Sequence, residues 1–470
     1  MATRFLTLPR APSLPLQCAG VGLLVFVACL LGILARPTGY LSAFWPANAV
    51  MAGLLVRYPA LGRHPAAWAA GAVGFVAADL ATGASWAMAL WLNAANLVDI
   101  VVVWQLLHRL DEPNRRLQRA TSALYLLLAS IAGSAVGALA GSGAGPVFFD
   151  APWTQVLAMW FSTQLMNYLL LLPLVLAAPH ADDPPPAPRK VPLALRLAPW
   201  GALAAGEGLR LLVSGPGSLV LPLPGLLWCA MSYRMFTSAL VSAIVCSWLL
   251  VAVALGLLDL NFTPAHAGEV LSLRVGISLL ALGPLAVACA NAAGAETLRR
   301  LDHAVRHDGL TGALARQALL EQGHLGLRQS VADGGGMAVL MIDADHFKQI
   351  NDRHGHHVGD QVLRALARVT AATLRPQDRL GRMGGEEFAV VLPGVSPAEA
   401  QAIAERLRAQ VAMQVLATDA QGGDLYATLS IGVAHTDWMG QPVDMHALLL
   451  AADEALYRAK AQGRNRIALA

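Results

Sequence analysis

The stretch RMGGEEFAVVLPG, residues 382–394, joins two glycines and two carboxylates to an apolar run that reads as a strand. DRLGRM (378–383) reads as a strand too, so Gly384 and Gly385 connect the two through a hairpin turn. Upstream, MAVLMID (337–343) is a continuous apolar run, the pattern of a buried strand, and it ends on Asp343. If these strands are neighbours, Asp343, Glu386 and Glu387 converge at one sheet edge. Hard carboxylate oxygens beside glycines, where a backbone can approach a phosphate, suit magnesium with a nucleoside triphosphate. A hairpin with merely solvated acids is the plainer reading of GGEE alone, and Asp343 at a strand end weighs against it.

Around this turn, strands alternate with helices. DHFKQINDRHGHHVGD (345–360) is a loop-helix region, and VLRALARVTAATL (362–374) is an amphipathic helix. Ser396-Pro397-Ala398-Glu399 is a capping box with proline at the first helical position, which opens a helix over 397–413. LYATLSIGVAH (425–435) reads as one strand, MHALLLAADEALYRAKAQ (445–462) as a helix and NRIAL (465–469) as a closing strand. The pattern is that of an α/β or α+β sheet domain.

The rest of the chain is of another kind. Of 470 residues, 56% are hydrophobic and 13% charged, and the mean hydropathy is +0.53, which excludes an ordinary soluble protein. Apolar runs follow one another up to about Asn291, and globular patterning begins at Arg299, leaving a C-terminal domain large enough for one core. The expected organisation is an integral membrane domain over 1–295, a linker helix over 296–307 and a soluble domain over 308–470. Candidate spans centre on 16–35, 41–56, 65–82, 86–107, 121–141, 153–178, 198–213, 218–232, 236–257 and 272–292. Merging short pairs would give eight rather than ten.

Charge supports ten spans with the N-terminus inside. The inner loops would hold Arg57, Arg63, Arg109, Arg115, Arg116, Arg119, Arg189, Lys190, Arg196, Arg234, Arg299 and Arg300. The outer loops would hold Arg36, Asp150, Asp259 and Glu269. The C-terminal domain then lies in the cytoplasm. All five cysteines (Cys18, Cys29, Cys229, Cys246, Cys289) sit in apolar runs, which excludes a disulfide framework or a cysteine zinc site in the soluble domain. Gly133, Gly137, Gly141 and Gly145 recur every four residues as a helix-packing face. GSGAGP (141–146) follows no strand and is not a phosphate loop. Asp79, Asp99 and the Glu207/Arg210 pair are ionisable at membrane depth, either as a self-neutralising structural set or as a polar sensing pocket. Leu298, Leu301 and Val305 line one face of the linker, a contact surface for a second copy. Nucleic acid is an improbable partner because no basic stripe interleaves with aromatics.

Two resemblances follow from particular motifs. FWPANAVMAGLL (44–55), LNAANLVDIVVVWQLL (92–107) and WFSTQLMNYLLLLPLVLA (160–177) resemble the first class of bacterial membrane-associated sensor (MASE) domains. HDGLTGALAR (307–316), DADHFKQINDRHGHHVGD (343–360), RLGRMGGEEF (379–388), LSIGVA (429–434) and ADEALYRAKAQGRNRI (452–467) are similar, in order and spacing, to GGDEF-family diguanylate cyclases. The sequence departs from that pattern at Ala313 to Ala315, where Leu-Pro-Asn is usual.

The second resemblance implies a cyclase-palm-like α/β fold, a central sheet wrapped by helices, and a homodimer joining two GTP into cyclic di-GMP. It implies that Asp343, the Ala344 carbonyl, Glu386 and Glu387 hold two Mg²⁺ per active site, and that Glu386 helps deprotonate the ribose 3′-hydroxyl. Asn351 and Asp360 would read guanine, with His356, Gly384 and Gly385 near the nucleotide. Lys348, Lys460 and Arg464 would neutralise phosphates. His354, His356 and His357 are a less favoured transition-metal cluster, since His356 already belongs to the family motif. Arg375 and Asp378 resemble the family's product-inhibition site for cyclic di-GMP, the plainer reading being a weak surface pair. A non-catalytic GTP or cyclic di-GMP receptor and a transporter with a regulatory domain are the alternatives.

Overall fold

The computed structural model describes residues 13–34, 44–179, 192–213, 215–254, 257–258, 267–418, 422–439 and 443–470. It divides into two compact units, Met1–Glu296 and Thr297–Ala470. Arg36, Arg189, Lys190 and Asp259, on which part of the loop-charge reading rests, lie outside the described residues.

The first unit is helical. Among the described residues, six helices are long and apolar enough to cross a membrane: Leu14–Leu34, Trp86–Leu107, Ser122–Ser142, Trp153–Ala177, Met235–Val253 and Gly268–Arg306. Ala47–Arg57 and Pro65–Ala81 are shorter apolar helices. At about 1.5 Å per residue, an 11-residue helix falls well short of a bilayer core. Leu193–Leu212 carries Arg196, Glu207 and Arg210, and Leu223–Ser232 completes the set of expected positions.

The glycine row works as a packing face. A Cβ at Gly137 would meet Asp99, and one at Gly141 would meet the Trp160 ring, so helix Ser122–Ser142 approaches its neighbours closely only because these positions lack side chains. The MASE-like segments also converge in space. Asp99 accepts from the Tyr168 hydroxyl at 2.6 Å and from Asn48 Nδ2 at 3.0 Å. Asn96 Oδ1 accepts from Asn48 Nδ2 at 3.0 Å and Gln164 Nε2 at 3.1 Å. Asn93 donates to Asp79 at 2.8 Å. Glu207 and Arg210 form their ion pair. The sequence reading passed over Arg274, which is buried in the last long helix and donates to the Met159 carbonyl at 3.2 Å.

The second unit is built on one mixed sheet. Its strands are β1 (Leu314–Ala315), β2 (Met337–Ala344), β3 (Arg379–Gly384), β4 (Glu387–Pro393), β7 (Leu429–His435) and β8 (Ile467–Leu469), in the order β1-β3-β4-β2-β7-β8. β5 (Ala417–Thr418) and β6 (Asp424–Leu425) form a separate two-stranded ribbon. Each adjacent pair in the run β3-β4-β2-β7 is antiparallel, and β1 and β8 add parallel edges. Period-two alternation sends Leu340 and Ile342 to one face of β2 and Val339 and Met341 to the other. The first face packs under helices His356–Thr373 and Pro397–Met413 through Leu366 and Leu407. The second packs under Arg316–Ala332 and Met445–Ala461 through Leu319 and Leu456. Covering both faces explains why β2 is an unbroken apolar run.

Most elements lie where the sequence places them, the Ser396–Glu399 capping box included. The expected strand over 425–435 is two strands in two sheets. Leu425 pairs with Ala417 in the ribbon, whereas Leu429 begins the pairing with β2. Between them the Thr428 carbonyl accepts from the Asp345 N–H at 2.9 Å, one position beyond the last β2–β7 pair. Helix Arg316–Ala332 has no counterpart in the sequence reading.

Candidate active site

The condition set by the sequence is met: β2 and β4 are neighbours, antiparallel, with Asp343 directly opposite Glu387. On its other side Asp343 faces Ser430 of β7, so the carboxylate rises from a central strand end. Burial pushes the Asp343 carboxyl up; Lys460 opposes that shift, and the charges of Glu386 and Glu387 add to it. Lys460 Nζ lies 2.6 Å from Asp343 Oδ2 and is the compensating cation. Ala344 ends β2, so its backbone lies beside the same edge.

The turn between β3 and β4 is short. Gly385 has φ +51°, a left-handed value that costs a glycine nothing, and no atom lies within 4 Å of where a Cβ at Gly384 or Gly385 would sit. The backbone there is open to a ligand, and Glu386 and Glu387 flank it, partly exposed. His346, in the loop leaving β2, also has positive φ, at +57°.

Arg382 ties this turn down, a role the sequence reading missed. Its Nη1 donates to Asp308 Oδ1 and Oδ2 at 3.0 and 3.2 Å, while Nε and Nη2 reach the Gly385 carbonyl at 2.9 and 2.6 Å. Asp308 also accepts from the Thr311 N–H and hydroxyl. Burial raises the Asp308 carboxyl, but Thr311 and then Arg382 outweigh it, and the net shift is downward. The available signal was that HDGLTG and RMGGEEF each hold one half of an opposite-charge pair.

Asn351 lies on helix Phe347–His354 and Asp360 on helix His356–Thr373, with Gly355 (φ +83°) between the two. The Asn351 side-chain oxygen fits against Gly359, where a Cβ would collide with it, and has no protein hydrogen-bond partner. It is a buried acceptor left open against the residue that precedes Asp360 in the chain. Lys348 and His356 are exposed on these helices, and Arg464 is exposed in the turn after helix Met445–Ala461.

Arg375 and Asp378 are not beside the Gly384–Gly385 turn in space. They precede β3 and the turn follows it, so a six-residue strand of roughly 20 Å separates them. Nor do their side chains form a simple surface pair. Asp378 is buried and its Oδ2 accepts from the Arg375 backbone N–H at 2.8 Å, while the Arg375 guanidinium lies 3.7 Å from Glu399. Burial pushes the Asp378 carboxyl up, against that hydrogen bond and the nearby arginines.

A family model described as diguanylate cyclase, GGDEF domain, matches residues 305–466. The chain is 33% identical over 437 residues to the probable diguanylate cyclase DgcF of Escherichia coli O157:H7, covering 91% of this chain and 89% of that one. It is also 33% identical over 317 residues to DgcF of E. coli K12, covering 66% of this chain and 96% of the relative. Among solved structures, the coiled coil and GGDEF domain of DgcB from Caulobacter crescentus, in complex with c-di-GMP, covers 37% of this chain at 30% identity and a TM-score of 0.35. With a strand-end aspartate facing a glycine-carboxylate hairpin, and similarity extending through the helical unit, the chain belongs to the diguanylate cyclase family and carries its GGDEF domain at the C-terminus.

Proposed function

We infer that this protein synthesises cyclic di-GMP from GTP at the β2–β4 edge, under the control of its helical N-terminal unit. The observation that carries the reading is the Asp343–Glu387 pairing beside the open Gly384–Gly385 turn. Asp343 and Glu387 face each other across β2 and β4 with Glu386 next in the chain. Among the described residues no three such side chains lie close enough to hold an ion as they stand, and it is the all-oxygen donor chemistry of the set that suits Mg²⁺. Asp343, Glu386, Glu387 and the Ala344 carbonyl would hold it, two ions per site. The metal supplies Lewis-acid polarisation of the triphosphate.

The chain's own residues do the rest. The Gly384–Gly385 backbone lets the phosphates approach, and Lys460, Lys348 and Arg464 neutralise them. Asn351 and Asp360 take the guanine edge, whose ring N–H and amino group a carboxylate accepts and adenine lacks. Glu386 accepts the proton of the ribose 3′-hydroxyl. The freed oxygen attacks the α-phosphorus of a second GTP, the α–β bridging bond breaks, and pyrophosphate leaves with the electron pair. A second such step closes the ring, so two GTP yield one cyclic di-GMP and two pyrophosphates. Each half-site holds one nucleotide, which makes the working unit a homodimer, and phosphoryl transfer of this kind depends mostly on positioning.

The N-terminal unit is read as a membrane-associated sensor in a bacterial inner membrane, with the cyclase in the cytoplasm. Helix Ala267–Arg306 runs unbroken from the last long apolar segment through the linker, and Leu298, Leu301 and Val305 are exposed on it. A second copy meeting this face would bring two half-sites together. Product analysis of the detergent-purified protein with GTP and Mg²⁺ tests the reading. Absence of cyclic di-GMP from a folded, homogeneous preparation supplied with both would sink it.

A further inference from the structure

Three consecutive residues after helix Met445–Ala461 have positive φ: Gly463 at +112°, Arg464 at +62° and Asn465 at +45°. Glycine tolerates this and asparagine does so moderately, but an arginine in the left-handed region persists only when its surroundings over-determine it. Three ties do so here. The Arg464 N–H donates to the Ala459 carbonyl at 3.1 Å. Arg408 Nη1 donates to Asn465 Oδ1 at 2.7 Å. The Asn465 N–H donates to Asp345 Oδ2 at 3.0 Å.

Asp345 is buried, in the loop leaving β2, and is already engaged on both oxygens. Oδ1 accepts from the Ser430 hydroxyl at 2.6 Å, and Oδ2 from the Thr428 hydroxyl at 2.7 Å. Its own N–H donates to the Thr428 carbonyl. One carboxylate thus joins the strand that carries Asp343, the start of β7 and the left-handed turn that follows Lys460. Among the described residues its two oxygens are held by directed neutral donors, two hydroxyls and one backbone N–H. Such an arrangement has value only if all three segments keep their places.

We propose that Asp345 is a positioning residue for triphosphate binding: it locks the Gly463–Asn465 turn to the β2 edge, holding Arg464 at a fixed height relative to the carboxylate cluster. The proposal rests on the reading that Arg464 meets the nucleotide phosphates. Asp345 touches no reacting atom; it acts through the turn. Arg408 holds the same turn from outside, on helix Pro397–Met413, and provides a second handle remote from the cluster.

The test uses the full chain in detergent, after the wild type has been shown to form cyclic di-GMP; failure at that stage concerns the activity and not Asp345. Initial rates are measured across GTP concentrations for Asp345→Ala, Asp345→Asn, Arg408→Ala, Arg464→Ala and the Asp345→Ala/Arg464→Ala pair. Asp345→Ala is expected to raise KM for GTP about tenfold with kcat nearly unchanged, Arg408→Ala to raise it about threefold, and Asp345→Asn to fall between wild type and Asp345→Ala. On the Arg464→Ala background, Asp345→Ala is expected to add little, because both remove the same contact. A merely structural role would lower kcat and active fraction alike, with losses that multiply on that background. Unchanged KM in both Asp345→Ala and Arg408→Ala, or full multiplication in the pair, overturns the proposal. If Asp345→Ala does not fold, Arg408→Ala and Asp345→Asn decide it by the same KM criterion.

Discussion

Arg382 grips Asp308 with both carboxylate oxygens within 3.2 Å, and with the remaining edge of its guanidinium holds the carbonyl of Gly385. One planar side chain therefore connects the first loop after the long linker helix to the apex of the β3–β4 hairpin. Only arginine has donors arranged for both tasks. Arg382→Lys keeps the charge and is expected to lower initial cyclase rates at least tenfold, by letting the turn drift. The rate of the purified variant is the check, and wild-type turnover would show that the turn needs no such clamp.

The same pair sets a pH dependence. Asp308 is held below its ordinary value of 3.8, so it binds fewer protons folded than unfolded near that pH. Its contribution is fully present above the unfolded value and is lost as pH falls through the lowered folded one. Asp308→Asn is expected to cost about 2 kcal/mol at neutral pH, in the range for hydrogen bonds to charged groups. The thermal midpoint gap from wild type should narrow steadily below about pH 4. A gap constant from neutrality into acid would assign the loss to packing.

The carboxylates at the β2–β4 edge carry the largest expected effect. Asp343→Asn and Glu386→Gln should each lower cyclic di-GMP formation by about 10²–10³-fold, the scale on which removal of one preorganised charge acts. Membrane insertion and thermal midpoint should be largely retained. Because Lys460 is the cation facing Asp343, the Asn variant also frees that lysine. Turnover near wild type in either protein would remove these residues from the metal site.

Base choice is expected to depend on the two-helix crossing. Asp360→Asn exchanges an acceptor for an amide and should erode discrimination between GTP and ATP at least tenfold, since a polar pair left unmade is costly. Competition assays with the two nucleotides measure it directly. An unchanged ratio would mean that guanine is read elsewhere.

Product feedback is a separate expectation. The Arg375 guanidinium is partly exposed, at the end of β3 away from the turn, and lies 3.7 Å from Glu399, a weak surface partner. Cyclic di-GMP is expected to inhibit non-competitively with GTP, and Arg375→Ala to relieve that inhibition with initial turnover intact. Asp378 is the poorer choice for this test, because its buried carboxylate shapes the loop through the Arg375 N–H. Superimposable inhibition curves for wild type and Arg375→Ala would exclude the site.

Much of this was legible in one dimension. Local signals sufficed for the capping box at Ser396, the buried run of β2 and the two strands around Gly384 and Gly385, because capping, periodicity and turn chemistry act within a few residues. The acidic residues and their order were legible for the same reason. What the tertiary structure decided is pairing between distant segments. It placed β2 beside β4 in the register that sets Asp343 opposite Glu387, joined Arg382 to Asp308 across 74 residues, and ran Asp345 to Asn465 across 120. It also split 425–435 between two sheets and buried Arg274 in a helix that reads as simply apolar. Strand register and buried charge partners are chosen by packing the whole core at once, which no local window of sequence contains.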